Sequence, residues 1–263
     1  MRLPIYQIDA FASAVFQGNP AAVVPLEAWL PDATLQAIAA ENNLSETAFF
    51  ILGRDDPWPL RWFTPAVEVD LCGHATLASA HLVFSRLDPA RERIAFSTRS
   101  GRLDVMRQGD RLELDFPAVR VQPLADQGKR EALAAALGAR PGEVHAAMDL
   151  MAVFRDEGEV AALEPDMARV AALGGRGLIV TAPGRACDFV SRFFGPAVGI
   201  PEDPVTGSAH CLLTPFWAAR LGKRRLSARQ ISARGGELAC EDRGGRVGIA
   251  GRAVLYLEGA IHV

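Results

Sequence analysis

A repeated segment is the feature that most restricts how this chain can fold. Residues 61–67, Arg-Trp-Phe-Thr-Pro-Ala-Val, return as residues 192–198, Arg-Phe-Phe-Gly-Pro-Ala-Val, with five of the seven positions identical. Each copy is followed by a stretch of small residues that predicts a helix, beginning at Gly73 in the first half and at Gly207 in the second. Because an internal repeat indicates one structural unit used twice, the sequence predicts two similar units within 263 residues.

Alternating apolar and polar residues predict that both halves are rich in β-strands. The strands predicted for the first half are residues 3–9, 20–25, 46–52, 59–64, 92–98, 103–107 and 111–116. Those of the second half lie near 151–155, 177–181 and 188–194 and across 237–258. The predicted helices are 33–41, with Asp32 as N-cap, then 74–86, one around Leu133 and Leu137, and 207–221. Residues 74–86 are small or apolar on nearly every side, which is typical of a helix surrounded by protein. The chain is therefore predicted to have an α+β fold in which each unit wraps a central helix.

Two helix N-termini are natural places for an anionic ligand. If the two units face each other across a cleft, equivalent helices point their N-termini into it. A helix N-terminus offers free N–H groups and about half a positive charge, which suits a carboxylate. Glycine at each tip, Gly73 and Gly207, lets a ligand approach the backbone closely. Ala75 at the first tip, and Thr206 and Ser208 at the second, complete the predicted substrate-binding residues, although helix capping alone explains Thr206 and Ser208.

Three ionisable residues are the candidates for catalysis. Glu46 begins a strand whose next residues are apolar, so its carboxylate is poorly solvated, and burial makes a carboxylate a better base. His74 lies at the first helix tip, where the helix dipole predicts a neutral imidazole. Asp203 precedes the second tip and is predicted to orient His74 or a substrate amine or hydroxyl. Each has a plainer structural explanation: a solvated glutamate at a strand end, a histidine satisfied within the structure, and a turn aspartate before a proline.

Other chemistries fit the sequence less well. Cys72, His74, His81, His210 and Cys211 lie near the two tips, but their spacings lack the usual pairs of zinc ligands. Cys72 beside His74 is compatible with a cysteine nucleophile, yet no acyl-transfer motif accompanies it. A dinucleotide fold is disfavoured because no strand–GxGxxG–helix unit is present. A zinc site, a cysteine nucleophile and a dinucleotide cofactor are therefore all disfavoured.

The composition argues against nucleic-acid and membrane partners, and a small-molecule carboxylate is the expected substrate. The net charge is −3, and the one basic cluster, Lys223-Arg224-Arg225, is too short to indicate a nucleic-acid surface. No apolar run approaches the roughly 18 residues of a membrane span. The N-terminus alternates like a strand and lacks the apolar core of a signal peptide, so a cytoplasmic protein is expected. The four cysteines are scattered and are expected to be free thiols.

Several motifs along the chain resemble a known family. They are, in chain order, Ile8-Asp9-Ala10-Phe11, Gly18-Asn19-Pro20, Asn43-Leu44-Ser45-Glu46-Thr47, Phe63-Thr64-Pro65, Cys72-Gly73-His74-Ala75-Thr76, Glu202-Asp203-Pro204-Val205-Thr206-Gly207-Ser208-Ala209 and Ser232-Ala233-Arg234-Gly235-Gly236-Glu237-Leu238. Together they span nearly the whole chain, and the sequence resembles the PhzF family, named for phenazine biosynthesis and sharing the diaminopimelate-epimerase fold.

The resemblance carries its own expectations. It implies two pseudo-symmetric lobes, each a β-barrel-like sheet around a helix: residues 1–117 with about 250–263, and residues 118–249. It implies a cofactor-free proton shift with the family's glutamate, histidine and aspartate at Glu46, His74 and Asp203, and it implies a homodimer. The substrate of the phenazine enzyme does not carry over.

The racemase and epimerase cousins of this family use two cysteines, one at each helix tip. Here Cys72 precedes the first tip, but Thr206 stands before the second, and Cys211 is four residues inside the helix. A two-thiol racemase is therefore disfavoured. Three hypotheses remain open: an isomerase using Glu46, an amino or hydroxy acid epimerase that uses one base or is assisted by Cys72, and a small-acid binding protein without turnover.

Overall fold

The computed structural model describes residues 1–263, and contacts between residues divide them into two compact units. One unit consists of Met1–Phe116 with Gly248–Val263, and the other of Pro117–Val247. The predicted mixture of helices and strands is confirmed. None of the helices has both the length and the apolar character needed to cross a lipid bilayer.

Eighteen strands and six α-helices follow one another along the chain. The strands are β1 (Arg2–Ala10), β2 (Asn19–Leu26), β3 (Glu46–Ile51), β4 (Trp58–Phe63), β5 (Glu68–Val69), β6 (Arg93–Thr98), β7 (Gly101–Gln108), β8 (Arg111–Pro117), β9 (Gln122–Pro123), β10 (Glu143–Ala146), β11 (Leu150–Val153), β12 (Leu178–Pro183), β13 (Phe189–Gly195), β14 (Ile200–Asp203), β15 (Arg225–Gln230), β16 (Gly236–Asp242), β17 (Arg246–Gly251) and β18 (Ala253–His262). The helices are α1 (Asp32–Asn42), α2 (Gly73–Leu82), α3 (Gln127–Leu137), α4 (Glu157–Ala161), α5 (Met167–Ala172) and α6 (Gly207–Leu221).

The first unit is a sheet curved around α2. Strand β1 pairs antiparallel with both β2 and β18, β2 runs parallel to β3, and β3 pairs antiparallel with β4. Beyond it, β4 runs parallel to β6, which begins the antiparallel meander β6–β7–β8. Helix α2 packs on β1, β2 and β3, and nine of its ten residues are buried. Its apolar and small residues on every side therefore match a helix enclosed by protein, as the sequence predicts.

The second unit uses the same order of pairings. Strand β11 runs parallel to β12, β12 is antiparallel to β13, β13 runs parallel to β15, and β15 is antiparallel to β16. Helix α6 packs on β15 and β16. The two copies of the repeated segment begin in β4 and β13, the equivalent strands of the two units. The sequence repeat therefore corresponds to a repeated strand topology.

An arginine–glutamate pair explains why the repeat begins with arginine. In the first unit Arg61 donates two hydrogen bonds to Glu68 of β5, both 2.7 Å long. In the second unit Arg192 does the same to Glu202 of β14, at 2.7 and 3.0 Å. Each guanidinium also lies over the ring of the phenylalanine two residues further along its strand. A bidentate arginine–carboxylate pair fixes the relative position of the two side chains as well as pairing their charges. The pair therefore holds β5 against β4 in the first unit and β14 against β13 in the second.

Several details differ from the sequence-based predictions. Helix α1 begins at Asp32, which is its first helical residue and not its N-cap; the Asp32 carboxylate instead accepts from Arg61. The helix predicted at 74–86 is α-helical only to Leu82, and Val83–Leu87 continue it as a π-helical turn. Strand β15 was not predicted, because Leu226 and Ala228 are its only apolar residues.

Candidate active site

Glu46 is held at the first position of a buried strand. Helix α1 ends where Asn43 adopts a left-handed conformation with φ of 49°, and this turn directs the chain into β3. The side chain of Asn42 donates to Oγ1 of Thr47 at 3.1 Å, which fastens the helix end to the strand. The pairing of β2 with β3 places Glu46 opposite Ala21, and Glu46 is only 8% exposed. The local sequence thus places the Glu46 carboxylate in the protein interior, at the start of a buried β-strand.

His74 faces this carboxylate. It is the second residue of α2 and is 4% exposed. Its Nε2 lies 3.1 Å from Oε2 of Glu46. Both atoms are buried and neither makes a hydrogen bond, so the contact is a close approach of the two polar groups without hydrogen-bond geometry. A carboxylate and an imidazole in the interior therefore have only each other as polar partners at this contact.

The opposite nitrogen of the ring, Nδ1, meets two further side chains. Nδ2 of Asn19 lies 3.2 Å from it and Sγ of Cys72 lies 3.6 Å from it. Asn19 can reach the ring because Gly18 before it has φ of +65°, and a Cβ there would lie 2.1 Å from the carbonyl oxygen of Ala10. In the sequence Asn19 stood out only as part of a motif, and its contact with His74 is a finding of the structure.

The cluster perturbs the protonation of both Cys72 and His74. Burial, followed by the charge of Glu46, raises the pKa of the Cys72 thiol to about 11. Burial alone lowers the pKa of His74, but Cys72 and Glu46 outweigh it, and the pKa lies well above its usual value. Since a thiol with a pKa of about 11 is uncharged at neutral pH, it is Glu46 that favours the imidazolium there. The prediction of a neutral His74 is therefore wrong, because a carboxylate at 3.1 Å outweighs the half charge of a helix end.

Asp203 belongs to a second polar cluster, at the N-terminus of α6. Oγ1 of Thr206 donates to Oδ2 of Asp203 at 2.5 Å, so Thr206 does not cap the helix with its side chain. Gln230 connects the two: its Oε1 accepts from the backbone N–H of Thr206 at 2.9 Å, and its Nε2 donates to the carbonyl of Asp203 at 2.7 Å. All three residues are buried. Gln230 was missed in the sequence because its strand, β15, was missed; it occupies the last buried position of that strand.

The other residues predicted at the two tips open the helices as expected. Gly73 is the first residue of α2, and Gly207 is the first residue of α6. Oγ of Ser208 accepts from Nη1 of Arg176 at 2.9 Å instead of capping α6. Arg176 is itself held by two hydrogen bonds, 3.0 and 2.5 Å long, to the buried carboxylate of Asp149. The second tip therefore carries a cation that the sequence analysis did not identify.

The structure thus brings the candidate residues together in two groups. In the first unit, Glu46, Cys72 and His74 offer an oxygen, a sulfur and a nitrogen that lie within 4.8 Å of one another. In the second unit, Asp203 and Thr206 share a hydrogen bond directly before Gly207. All four cysteines are free thiols, as expected.

Comparison with known proteins identifies the family. The PhzC-PhzF family, described as phenazine biosynthesis-like protein, matches residues 8–259. An uncharacterized isomerase of Pseudomonas aeruginosa is 57% identical over 263 residues and covers 100% of both chains. The crystal structure of a PhzF family protein from Enterococcus faecalis superposes with a TM-score of 0.96 at 47% identity, again over 100% of both chains. A hydroxyproline epimerase from Agrobacterium vitis shares the fold, with a TM-score of 0.62 at 12% identity over 99% of this chain and 92% of its own. The chain therefore belongs to the PhzC-PhzF family of phenazine biosynthesis-like proteins, and it is an isomerase.

Proposed function

We propose that this isomerase moves a proton on a small carbon acid that bears a carboxylate, with Glu46 as the acid/base group and without a cofactor. The contact between Glu46 and His74 carries the proposal. A carboxylate whose oxygen lies 3.1 Å from an imidazole nitrogen, with both side chains buried, has the two properties that proton transfer to carbon requires. It is shielded from water, and it is held in a fixed position.

In the proposed reaction Glu46 takes a proton from a substrate carbon and becomes a neutral carboxylic acid. The electron pair left on the substrate delocalises toward its unsaturated neighbour, and Glu46 then returns the proton to a different carbon. His74 contacts Oε2 of Glu46, which leaves Oε1 for the substrate.

The helix tips are the proposed binding groups for the substrate. Gly73 and Ala75 lie in the first turn of α2, where N–H groups without intrahelical partners suit an anionic group. Thr206, Gly207 and Ser208 form the equivalent start of α6. We assign Asp203 the role of binding or polarising a substrate hydroxyl or amine, since its carboxylate already accepts a hydroxyl proton from Thr206. The protein is further proposed to act as a homodimer, which size-exclusion chromatography with light scattering would test.

The test of the proposed reaction is isotope exchange. Small carboxylic acids are incubated with the protein in heavy water, and carbon-bound deuterium is measured by NMR and mass spectrometry. At least one acid should take up deuterium, and Glu46→Gln should abolish the uptake without loss of folding. Glu41→Gln is the matched control, because Glu41 is an exposed residue of α1 close to the same strand. Exchange that persists in Glu46→Gln would rule out Glu46 as the base.

A second candidate function is epimerisation of an amino or hydroxy acid with help from Cys72. The observation in its favour is the position of the Cys72 thiol, 3.6 Å from His74 in the same cluster as Glu46. Its pKa of about 11 argues against it, because little thiolate is present at neutral pH. Exchange that is lost in Cys72→Ala, together with inversion of a stereocentre, would favour this function. Acids that raise thermal stability without any exchange would instead indicate a binding protein.

A further inference from the structure

The cluster of Glu46, Cys72 and His74 offers a chemistry that proton transfer does not use. A carboxylate oxygen, a thiol sulfur and an imidazole nitrogen lie within 4.8 Å of one another, and all three residues are buried. We propose that this cluster is a binding site for a soft divalent cation such as Zn²⁺ or Cd²⁺, and that the bound ion inhibits the isomerase by occupying Glu46. The binding half of this proposal does not depend on the proposed reaction.

The ligand types and number suit such an ion. Zinc sites in proteins are built from cysteine sulfur, histidine nitrogen and carboxylate oxygen, and three protein ligands with one open position are a common arrangement. With bonds of about 2.3 Å to sulfur and about 2.0 Å to nitrogen, a tetrahedral zinc holds these two atoms about 3.5 Å apart. Sγ of Cys72 and Nδ1 of His74 are 3.6 Å apart. The spacing of these two ligand atoms therefore matches that of a zinc site.

The contact between Glu46 and His74 supports the same geometry. When Nδ1 binds an ion, the ring proton is on Nε2, which lies 3.1 Å from Oε2 of Glu46. Because neither of these two atoms is hydrogen-bonded, Glu46 can turn away from Nε2 toward the ion without breaking a hydrogen bond. One oxygen of Glu46 then becomes the third ligand, and the amide of Asn19, 3.2 Å from Nδ1, must move aside.

Binding has a defined proton balance. The ion forms a bond to the sulfur of Cys72 as the thiol releases its proton to solvent, and Nδ1 of His74 releases a second proton if the ring is protonated. Affinity should therefore rise between about tenfold and about a hundredfold for each pH unit near neutrality. Mg²⁺ and Ca²⁺, which prefer all-oxygen sites, should not compete.

The experiment is a titration of the purified full-length protein with Cd²⁺, following the ultraviolet sulfur-to-cadmium charge-transfer band, with equilibrium dialysis against Zn²⁺ in parallel. One ion per chain is expected, and Cys72→Ala should remove the band. Cys72→Ser, nearly equal in volume to the native residue, should weaken binding more than about 100-fold, which exceeds the loss caused by removing a partner outside the ligand set. Thermal unfolding without metal checks that both variants are folded.

Two other cysteines provide controls. Cys211→Ala removes a thiol that is also buried, and Cys187→Ala removes the thiol that is only partly buried. Both variants should keep the band and the one-to-one stoichiometry. A band that survives in Cys72→Ala, or that disappears in Cys187→Ala, would overturn the site.

Inhibition is measured separately, on whichever acid undergoes exchange. Zn²⁺ should stop deuterium uptake at the concentration that fills the site, and a chelator should restore it. Binding without inhibition would overturn the second half of the proposal. If no acid exchanges, the proposed reaction fails while the binding titration is still decisive.

Discussion

Acidification should destabilise this protein through His210, a buried histidine outside the candidate site. His210 lies in α6 and is completely buried. Its Nδ1 is 2.8 Å from the carbonyl oxygen of Thr206 and donates to it, while its Nε2 has no hydrogen-bond partner. Burial lowers the pKa of His210 from 6.5 to about 4, although the Thr206 carbonyl opposes this shift. Protonation would place a charged N–H at Nε2 where nothing accepts it.

The sign and size of the effect follow from linkage between protonation and folding. In the unfolded chain His210 is protonated below its usual pKa of 6.5, whereas in the folded chain it stays neutral until about pH 4. The stabilisation of the folded state by neutral His210 is therefore complete above pH 6.5 and is lost as pH falls toward 4. Each pKa unit corresponds to about 1.4 kcal/mol, so the full loss is about 3 kcal/mol. That is a large share of the roughly 5–15 kcal/mol by which proteins are stable.

The assay is urea unfolding at several pH values between about 7.5 and 4, on the native protein and on His210→Asn. Asparagine keeps a donor near the position of Nδ1 but does not titrate, so its packing cost is the same at every pH. The difference in unfolding free energy between the two proteins isolates His210, because the other titrating groups are common to both. The native protein should lose its advantage by about 3 kcal/mol on acidification. A difference independent of pH would refute the reasoning.

Three further predictions concern the surroundings of the candidate site. Gly18→Ala should destabilise the protein by more than about 1 kcal/mol in urea unfolding, because the residue has a positive φ and its Cβ would collide with the carbonyl of Ala10; an unchanged midpoint would contradict this. Gln230→Leu should cost about 1–3 kcal/mol in urea unfolding and lower turnover, because the buried N–H of Thr206 loses its acceptor and the carbonyl of Asp203 loses its donor; an unchanged unfolding free energy would contradict this. Relative to His74→Gln, the native protein should have a stability advantage that is complete below about pH 6.5 and is lost as pH rises through the raised pKa of His74, and a constant difference would show that the imidazolium is not stabilised.

The sequence predicted the repeating architecture better than the polar contacts. Periodicity and the repeat located β4, β13 and the enclosed helices, because burial of apolar residues determines those patterns. The sequence also indicated Glu46 and His74 as candidate catalytic residues. Their catalytic roles stay a prediction. Their 3.1 Å contact joins residues 28 positions apart and depends on how β3 and α2 pack, which no local pattern encodes. The neutral state predicted for His74 was wrong for the same reason, since the decisive charge comes from another element.

The N-terminus of α6 shows a second limit of prediction from the sequence. Thr206 and Ser208 have the residue types of helix caps, yet their hydroxyls bond to Asp203 and Arg176. Ser208 has a partner 32 residues away in the chain, whereas Thr206 bonds to a residue only three positions before it. Gln230, which organises this region, lies on a strand with too few apolar residues to be recognised. Polar side chains inside a fold were therefore the least predictable part of the site.

The pairing of β1 with β18 has a consequence for how the protein is made. The first unit contains Met1–Phe116 but is completed only by Gly248–Val263, whereas the second unit is one continuous stretch. After Phe116 is synthesised, another 146 residues (262 − 116) must follow before β18 is finished, which takes roughly 7–30 s at about 5–20 residues per second. During that interval the edge of β1 that β18 later covers is unpaired, so the later half of the chain can finish folding before the earlier one. The nascent N-terminal unit, with Glu46 and His74 inside it, therefore carries an open strand edge, the kind of edge at which chains aggregate, until synthesis of β18 is complete.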